Sequence, residues 1–235
     1  MTTVIVQSQD AITLVGGGPV TRRDLAFARA RAPVVVAADS GADRALAAGV
    51  MPTAVIGDFD SISESAKSVI APERQFRIAE QDSTDFDKVL RSIAAPFVLA
   101  LGVTGAQLDH GLAVLNALVR HRGAPCLLIS GKDVIFHAPE RVQLTLKVGD
   151  RFSLFPMGQV MGSSHGLHWP IDGLCLAPDG KTSTSNKVSA PQVNLQFDRP
   201  GMLVILPRAR LDAAISALVP QWRGPHRAPR DVRGK

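Results

Sequence analysis

Two cysteines in 235 residues are too few for a disulfide framework. Cys126 and Cys175 each lie inside an apolar stretch, Pro125-Cys126-Leu127-Leu128-Ile129 and Leu174-Cys175-Leu176. Both are therefore expected to be small buried side chains, not a bridge or a metal site. No apolar run reaches the length of a bilayer span, and residues 1–10 lack the basic region and apolar core of a secretory signal. The expected location is the cytoplasm, with no membrane partner. A nucleic-acid footprint is lacking as well. The net charge is +5, but the last thirteen residues carry +4 of it, which leaves residues 1–222 with only +1. That tail, 223–235, is basic and Pro-rich without apolar periodicity, and reads as disordered.

What is present is ample core material, 46% hydrophobic residues, in a chain long enough for one large or two modest domains. The first part alternates short buried runs with amphipathic segments. Ile12-Thr13-Leu14-Val15 ends in Gly16-Gly17-Gly18-Pro19, and Thr21 then caps a helical pattern of Leu25, Ala28 and Ala32. Val34-Val35-Val36-Ala37-Ala38 ends in Asp39-Ser40-Gly41 before an alanine-rich helix closed by Gly49. Further strands are expected at 55–56, 76–79, 97–102 and 126–129, with helices at 63–70, 83–93 and 109–122. This alternation predicts an α/β fold with a mostly parallel open sheet and helices on both faces, spanning residues 1–131.

From residue 132 the period changes to short alternating strands separated by Gly, Pro, Asp or Asn, as in Val142-Gln143-Leu144-Thr145-Leu146. A smaller all-β sandwich over 132–222 is expected, closed by a short helix near 211–218. Thr182-Ser183-Thr184-Ser185-Asn186 reads as a polar loop.

The chain is organised around Val55-Ile56-Gly57-Asp58-Phe59-Asp60-Ser61, a buried strand that delivers two carboxylates to a sheet edge while Phe59 anchors the loop on the other side. In open parallel sheets, ligands bind beyond the carboxyl ends of the strands. Those ends here carry Gly16 to Gly18, Asp39-Ser40-Gly41, Asp58 and Asp60, Gln81-Asp82-Ser83-Thr84-Asp85, and Gly102 to Asp109. Hard cations take oxygen ligands, so Asp39, Asp58, Asp60 and Asp85 form a candidate Mg2+ and phosphate centre. The triple glycine offers N–H groups that can approach a phosphate, and Lys88, one helical turn past Asp85, is a candidate counter-charge or phosphate ligand.

Five motifs in order resemble the thiamin pyrophosphokinase family. They are Asp39-Ser40-Gly41-Ala42-Asp43, Gly57-Asp58-Phe59-Asp60-Ser61, Asp82-Ser83-Thr84-Asp85-Phe86-Asp87-Lys88, Gly105-Ala106-Gln107-Leu108-Asp109-His110, and Gly166-Leu167 with Ser183-Thr184-Ser185-Asn186. The resemblance implies transfer of the pyrophosphoryl group of ATP to the hydroxyl of thiamine, giving thiamine diphosphate and AMP. It implies a homodimer with thiamine near the interface, and assigns Asp39, Asp58, Asp60 and Asp85 to Mg2+, with Asp58, Asp60, Asp85 and Lys88 at the reaction centre. Nucleotide contacts are implied for Gly17, Gly18, Asp39, Ser40, Gly41, Gln81, Thr84, Gln107, Asp109 and His110. Thiamine contacts are implied for Trp169, Ser183, Ser185 and Asn186, with Trp169 as a stacking surface.

The chain departs from the family in three places. Gln107 stands where the family usually has arginine, Ser40 replaces the commoner glycine, and Lys187 stands where an acid is frequent. Two other readings compete: a haloacid-dehalogenase-like phosphatase, which also uses Asp-x-Asp after a strand, and a non-catalytic thiamine- or nucleotide-binding module.

Overall fold

The computed structural model describes residues 4–80, 82–105 and 107–225. β1 (Val6–Gln7) and β2 (Ile12–Val15) precede α1 (Arg22–Arg29), β3 (Val34–Ala38) leads into α2 (Gly41–Ala47), and β4 (Ala54–Gly57) into α3 (Glu64–Val69). β5 (Gln75–Arg77), α4 (Asp85–Ser92), β6 (Ile93–Ala94), β7 (Val98–Leu101), α5 (Leu108–Arg120) and β8 (Cys126–Ser130) follow. Hydroxyl side chains start three of these helices. Thr21 accepts from Asp24 N while Asp24 accepts from Thr21 N, a reciprocal capping box, and Ser63 and Thr84 cap α3 and α4.

The remainder is β9 (Asp133–His137), β10 (Arg141–Thr145), β11 (Arg151–Pro156), β12 (Val160–His165), β13 (Cys175–Leu176), β14 (Ser183–Lys187), β15 (Gln192–Phe197) and β16 (Met202–Pro207), closed by α6 (Leu211–Leu218). The large sheet has the order β14-β11-β16-β9-β8-β7-β2-β3-β4-β5. Its β8 to β5 part is parallel, and β8 pairs antiparallel with β9, so one sheet runs from the α/β part into the β part. β10, β15, β12 and β13 form the second, antiparallel sheet, and β1 pairs with β6.

Alternation along each strand feeds two cores. Leu127 and Ile129 of β8 join a cluster that holds Leu25 and Ala28 of α1 and Val142, Leu144, Val193 and Leu195 of the second sheet. Cys126 and Leu128 join the opposite cluster, with Phe86, Val89 and Leu90 of α4 and Val114 of α5. Helices thus cover both faces of the parallel part, and the two sheets face one another across a shared core. The C-terminal segment is tied to α1: the Phe27 ring lies between the guanidinium groups of Arg31 and Arg208, 4.0 and 4.5 Å from its centroid, and these pair with Asp212 and Asp24. None of the described helices is long and apolar enough to cross a membrane.

Two expectations are corrected. Cys126 is buried but Cys175 is exposed. It lies on a two-residue edge strand whose alternation buries Leu176 and turns Cys175 outward. Ser183-Thr184-Ser185-Asn186 is an edge strand, not a loop. Among the described strands β14 pairs with β11 alone, so its outward side chains can be polar, and a register shift with Ser185 at φ +58° marks a bulge.

Candidate active site

The order β7-β2-β3 places β2 where the connections diverge to either side, and its carboxyl end is the glycine loop. That is where a parallel open sheet leaves a crevice. The loop is packed rather than loose. Gly18 N donates to Gly102 O at 2.8 Å, a Cβ on Gly16 or Gly18 would lie 2.6 or 2.7 Å from that same oxygen, and one on Gly41 would lie 1.9 Å from Val15 O. Ser40 is accommodated because its own φ is −60°; the left-handed residue at this strand end is Asp39, at φ +44°.

The resulting cleft, about 680 Å³, is lined by Gly16 to Gly18, Asp39, Ser40, Arg44, Asp60, Ser61, Thr84, Asp85, Gln107 and His110, among others. Asp39, Asp58 and Asp60 each direct a carboxylate oxygen to a common point, all within 4.8 Å of one another. Phe59 makes this possible by adopting φ +68° and packing against a small core that includes Val55, Ile62 and Ala66. Asp39 is 2% exposed; its Oδ2 accepts from Ser61 N at 3.3 Å, while its Oδ1 is buried without a hydrogen-bond partner among the described residues. Burial pushes the Asp39 carboxyl up to about 6. A buried acceptor with nothing to accept from, beside two more carboxylates, suits a hard divalent cation with oxygen ligands.

Lys88 is a counter-charge. It is 1% exposed, and its Nζ donates to Asp58 Oδ2 at 2.8 Å and to Asp85 Oδ1 at 3.0 Å. The Lys88 hydrogen bond holds Asp58 below the usual carboxylate range. At Asp85 burial wins over the same lysine, and its carboxyl is raised. Asp85 shares Lys88 with Asp58 but is not one of the three acids whose oxygens converge.

Of the remaining expected residues, Gly41 supports the cleft from below, and Thr84 lines it while capping α4. Gln107 and His110 line it from the start of α5; Asp109 accepts from His110 N at 2.9 Å and is not among the lining residues. Gln81 lies outside the described residues. Trp169, Ser183, Ser185 and Asn186 are likewise not among the lining residues. They gather in the β part instead, where Trp169 is 56% exposed with His168 edge-on to its ring at 4.5 Å. Asn186 is buried and holds that segment, accepting from Trp169 N at 3.1 Å and donating to Trp169 O at 2.7 Å. Sequence reasoning missed Arg44, whose Nε donates to Gly17 O at 3.0 Å at the edge of the cleft. Its signal was a lone cation in the last turn of the short helix after Asp39.

Residues 28–128 match the model of the thiamin pyrophosphokinase catalytic domain, and residues 135–202 match the model of the vitamin B1 binding domain of thiamin pyrophosphokinase. The chain belongs to the thiamin pyrophosphokinase family. It is 28% identical to a thiamine pyrophosphokinase of Oryza sativa over 166 residues, 63% of either chain, and 32% identical to that of Bacillus subtilis over 116 residues. These matches span less than two thirds of the relatives' own lengths, 63% and 54%. Thiamin pyrophosphokinase from Candida albicans shares the fold, with a TM-score of 0.73 at 16% identity over 86% of this chain and 92% of that one. The boundary between the two family models falls between β8 and β9, where the large sheet turns from parallel to antiparallel.

Proposed function

We propose that the chain is a thiamine diphosphokinase, a cytoplasmic homodimer that transfers the pyrophosphoryl group of ATP to the hydroxyl of thiamine. The carrying observation is the convergence of Asp39, Asp58 and Asp60, with an orphaned Asp39 oxygen, beside a glycine-lined cleft in a chain of this family. These three acids would hold Mg2+, which when bound neutralises charge on the phosphates. Gly17, Gly18, Ser40 and Thr84 border the space for the polyphosphate. Asp85, its carboxyl raised by burial, orients the thiamine hydroxyl and takes its proton. The thiamine oxygen then bonds to the β-phosphorus as the bridge to the α-phosphate breaks, and AMP leaves with the electron pair and needs no proton. Lys88 fixes Asp58 and Asp85 in place throughout.

Thiamine itself is a flat cation, and the exposed ring of Trp169 offers it a stacking face. That ring is not part of its own chain's cleft lining, which supports a site completed between two copies, with Trp169, Ser183 and Ser185 facing the partner's acids. The test is a single incubation of protein, thiamine, Mg2+ and ATP. Thiamine diphosphate and AMP should appear in equal amounts; phosphate release alone, or thiamine binding without turnover, would overturn the proposal.

A further inference from the structure

The lining of the cleft is unbalanced in charge. Asp39, Asp60 and Asp85 face it, while Lys88 is buried against two carboxylates and does not line it. Among the described lining residues Arg44 is the one permanent cation. A nucleoside triphosphate carries more negative charge than one divalent ion offsets, so a cleft this acidic needs a cation of its own.

Arg44 is placed to be that cation. It follows β3 and Gln107 follows β7, so β2 and its glycine loop lie between them, and both residues line the same cleft. Arginine has five N–H donors. The Arg44 Nε–H is used on Gly17 O, which tethers one end of the guanidinium, and the two terminal nitrogens make no ion pair among the described residues. A planar fork held at one end is what recognises phosphate oxygens two at a time, and an amide such as Gln107 cannot replace it.

We propose that Arg44 binds the phosphate chain of the nucleotide as the fixed cation of this cleft. The inference rests on the diphosphokinase reading, since it assigns the phosphates of that reading to a residue. It makes Arg44 selective for the length of the phosphate chain rather than for the base.

The experiment is calorimetric titration of the full-length protein with ATP, ADP and AMP, in Mg2+ and without thiamine. Arg44→Ala should weaken ATP binding by at least about tenfold and AMP binding by less than about threefold. Arg44→Gln keeps a donor for Gly17 O but no charge, so it should behave as Arg44→Ala. Adding Gln107→Arg to either variant should recover much of the loss, and the recovery should shrink as salt rises. Wild-type ATP affinity in Arg44→Gln would show that the residue only braces the glycine loop. Equal losses for ATP and AMP would also overturn the inference, and so would a variant that gains nothing from Gln107→Arg. If the wild-type protein binds no ATP, the functional reading falls and this inference with it, whereas wild-type binding that survives Arg44 replacement defeats this inference alone.

Discussion

Lys88 Nζ lies 2.8 Å from Asp58 Oδ2, joining the helix that follows the glutamine-acid loop to the strand end that carries the acid pair. The lysine side chain is 2% exposed and that of Asp58 11%, while the second partner, Asp85, is 31% exposed. Removing one member of a buried pair costs about 3–5 kcal/mol, and the partial exposure of Asp85 reduces this toward about 2 kcal/mol here. Lys88→Met should lower the urea midpoint accordingly and abolish turnover. An unchanged midpoint would mean that the ammonium group contributes nothing net to the fold.

The three converging acids make a prediction that needs no turnover. Mg2+ should raise the Tm of the wild-type chain and leave those of Asp39→Asn and Asp60→Asn unmoved. Without the ion, Asp39→Asn should be the more stable protein at neutral pH. A carboxyl held at about 6 by burial costs stability when ionised, so the cost is absent near pH 4, grows as pH rises toward 6 and is constant above. Paired denaturation curves at pH 4.5 and 7.5 check this, and a difference independent of pH would refute it.

Acid should destabilise the far end of the sheet through two histidines. His121 and His137 are both lowered by burial, and His137 Nε2 accepts from Gly201 N at 3.0 Å, a bond that a protonated ring cannot make. The unfolded chain binds these protons first, so their contribution is full above about pH 6.5 and is lost as pH falls below it. His137→Gln retains an acceptor without the titration. The stability difference between it and wild type should therefore narrow from pH 7.5 to 5.5, and a constant difference would exclude the histidine.

Sharing of sites between chains is testable by complementation. Asp60→Asn and Trp169→Ala should each be inactive alone, the second with its fold intact because Trp169 is 56% exposed. Mixed dimers should regain one competent site of two. If mixed dimers form and stay silent, the site is not shared. Asn186→Ala should weaken thiamine binding as well, since the carboxamide holds the Trp169 backbone from both sides.

Much of the site was legible because strand ends announce themselves. A buried run that stops at glycine and acid delivers those groups to the crevice, and Asp39, Asp60, Asp85 and the glycine loop line the cleft there. The start of α1 was equally plain, since Thr21 accepts from Asp24 N as its cap, whereas the helix expected from 83 begins at Asp85, capped by Thr84. β14 was not legible, because an edge strand needs only one paired side and tolerates a run of Ser and Thr that reads as a loop. Arg44 was hidden for a different reason: a lone cation on a short helix is ordinary until its Nε is seen on Gly17 O.

The sequence by itself determined the alternation, the strand-end chemistry and the change of period near residue 132, since each follows from local spacing of apolar, glycine and acidic residues. Only the tertiary structure decided that three acids converge while Asp85 pairs with Lys88, that Asn186 serves Trp169, and that one sheet joins both parts. Those outcomes depend on which side chains from distant strands meet, and on backbone angles such as φ +44° at Asp39 and +68° at Phe59. Packing sets both, and no local pattern encodes them.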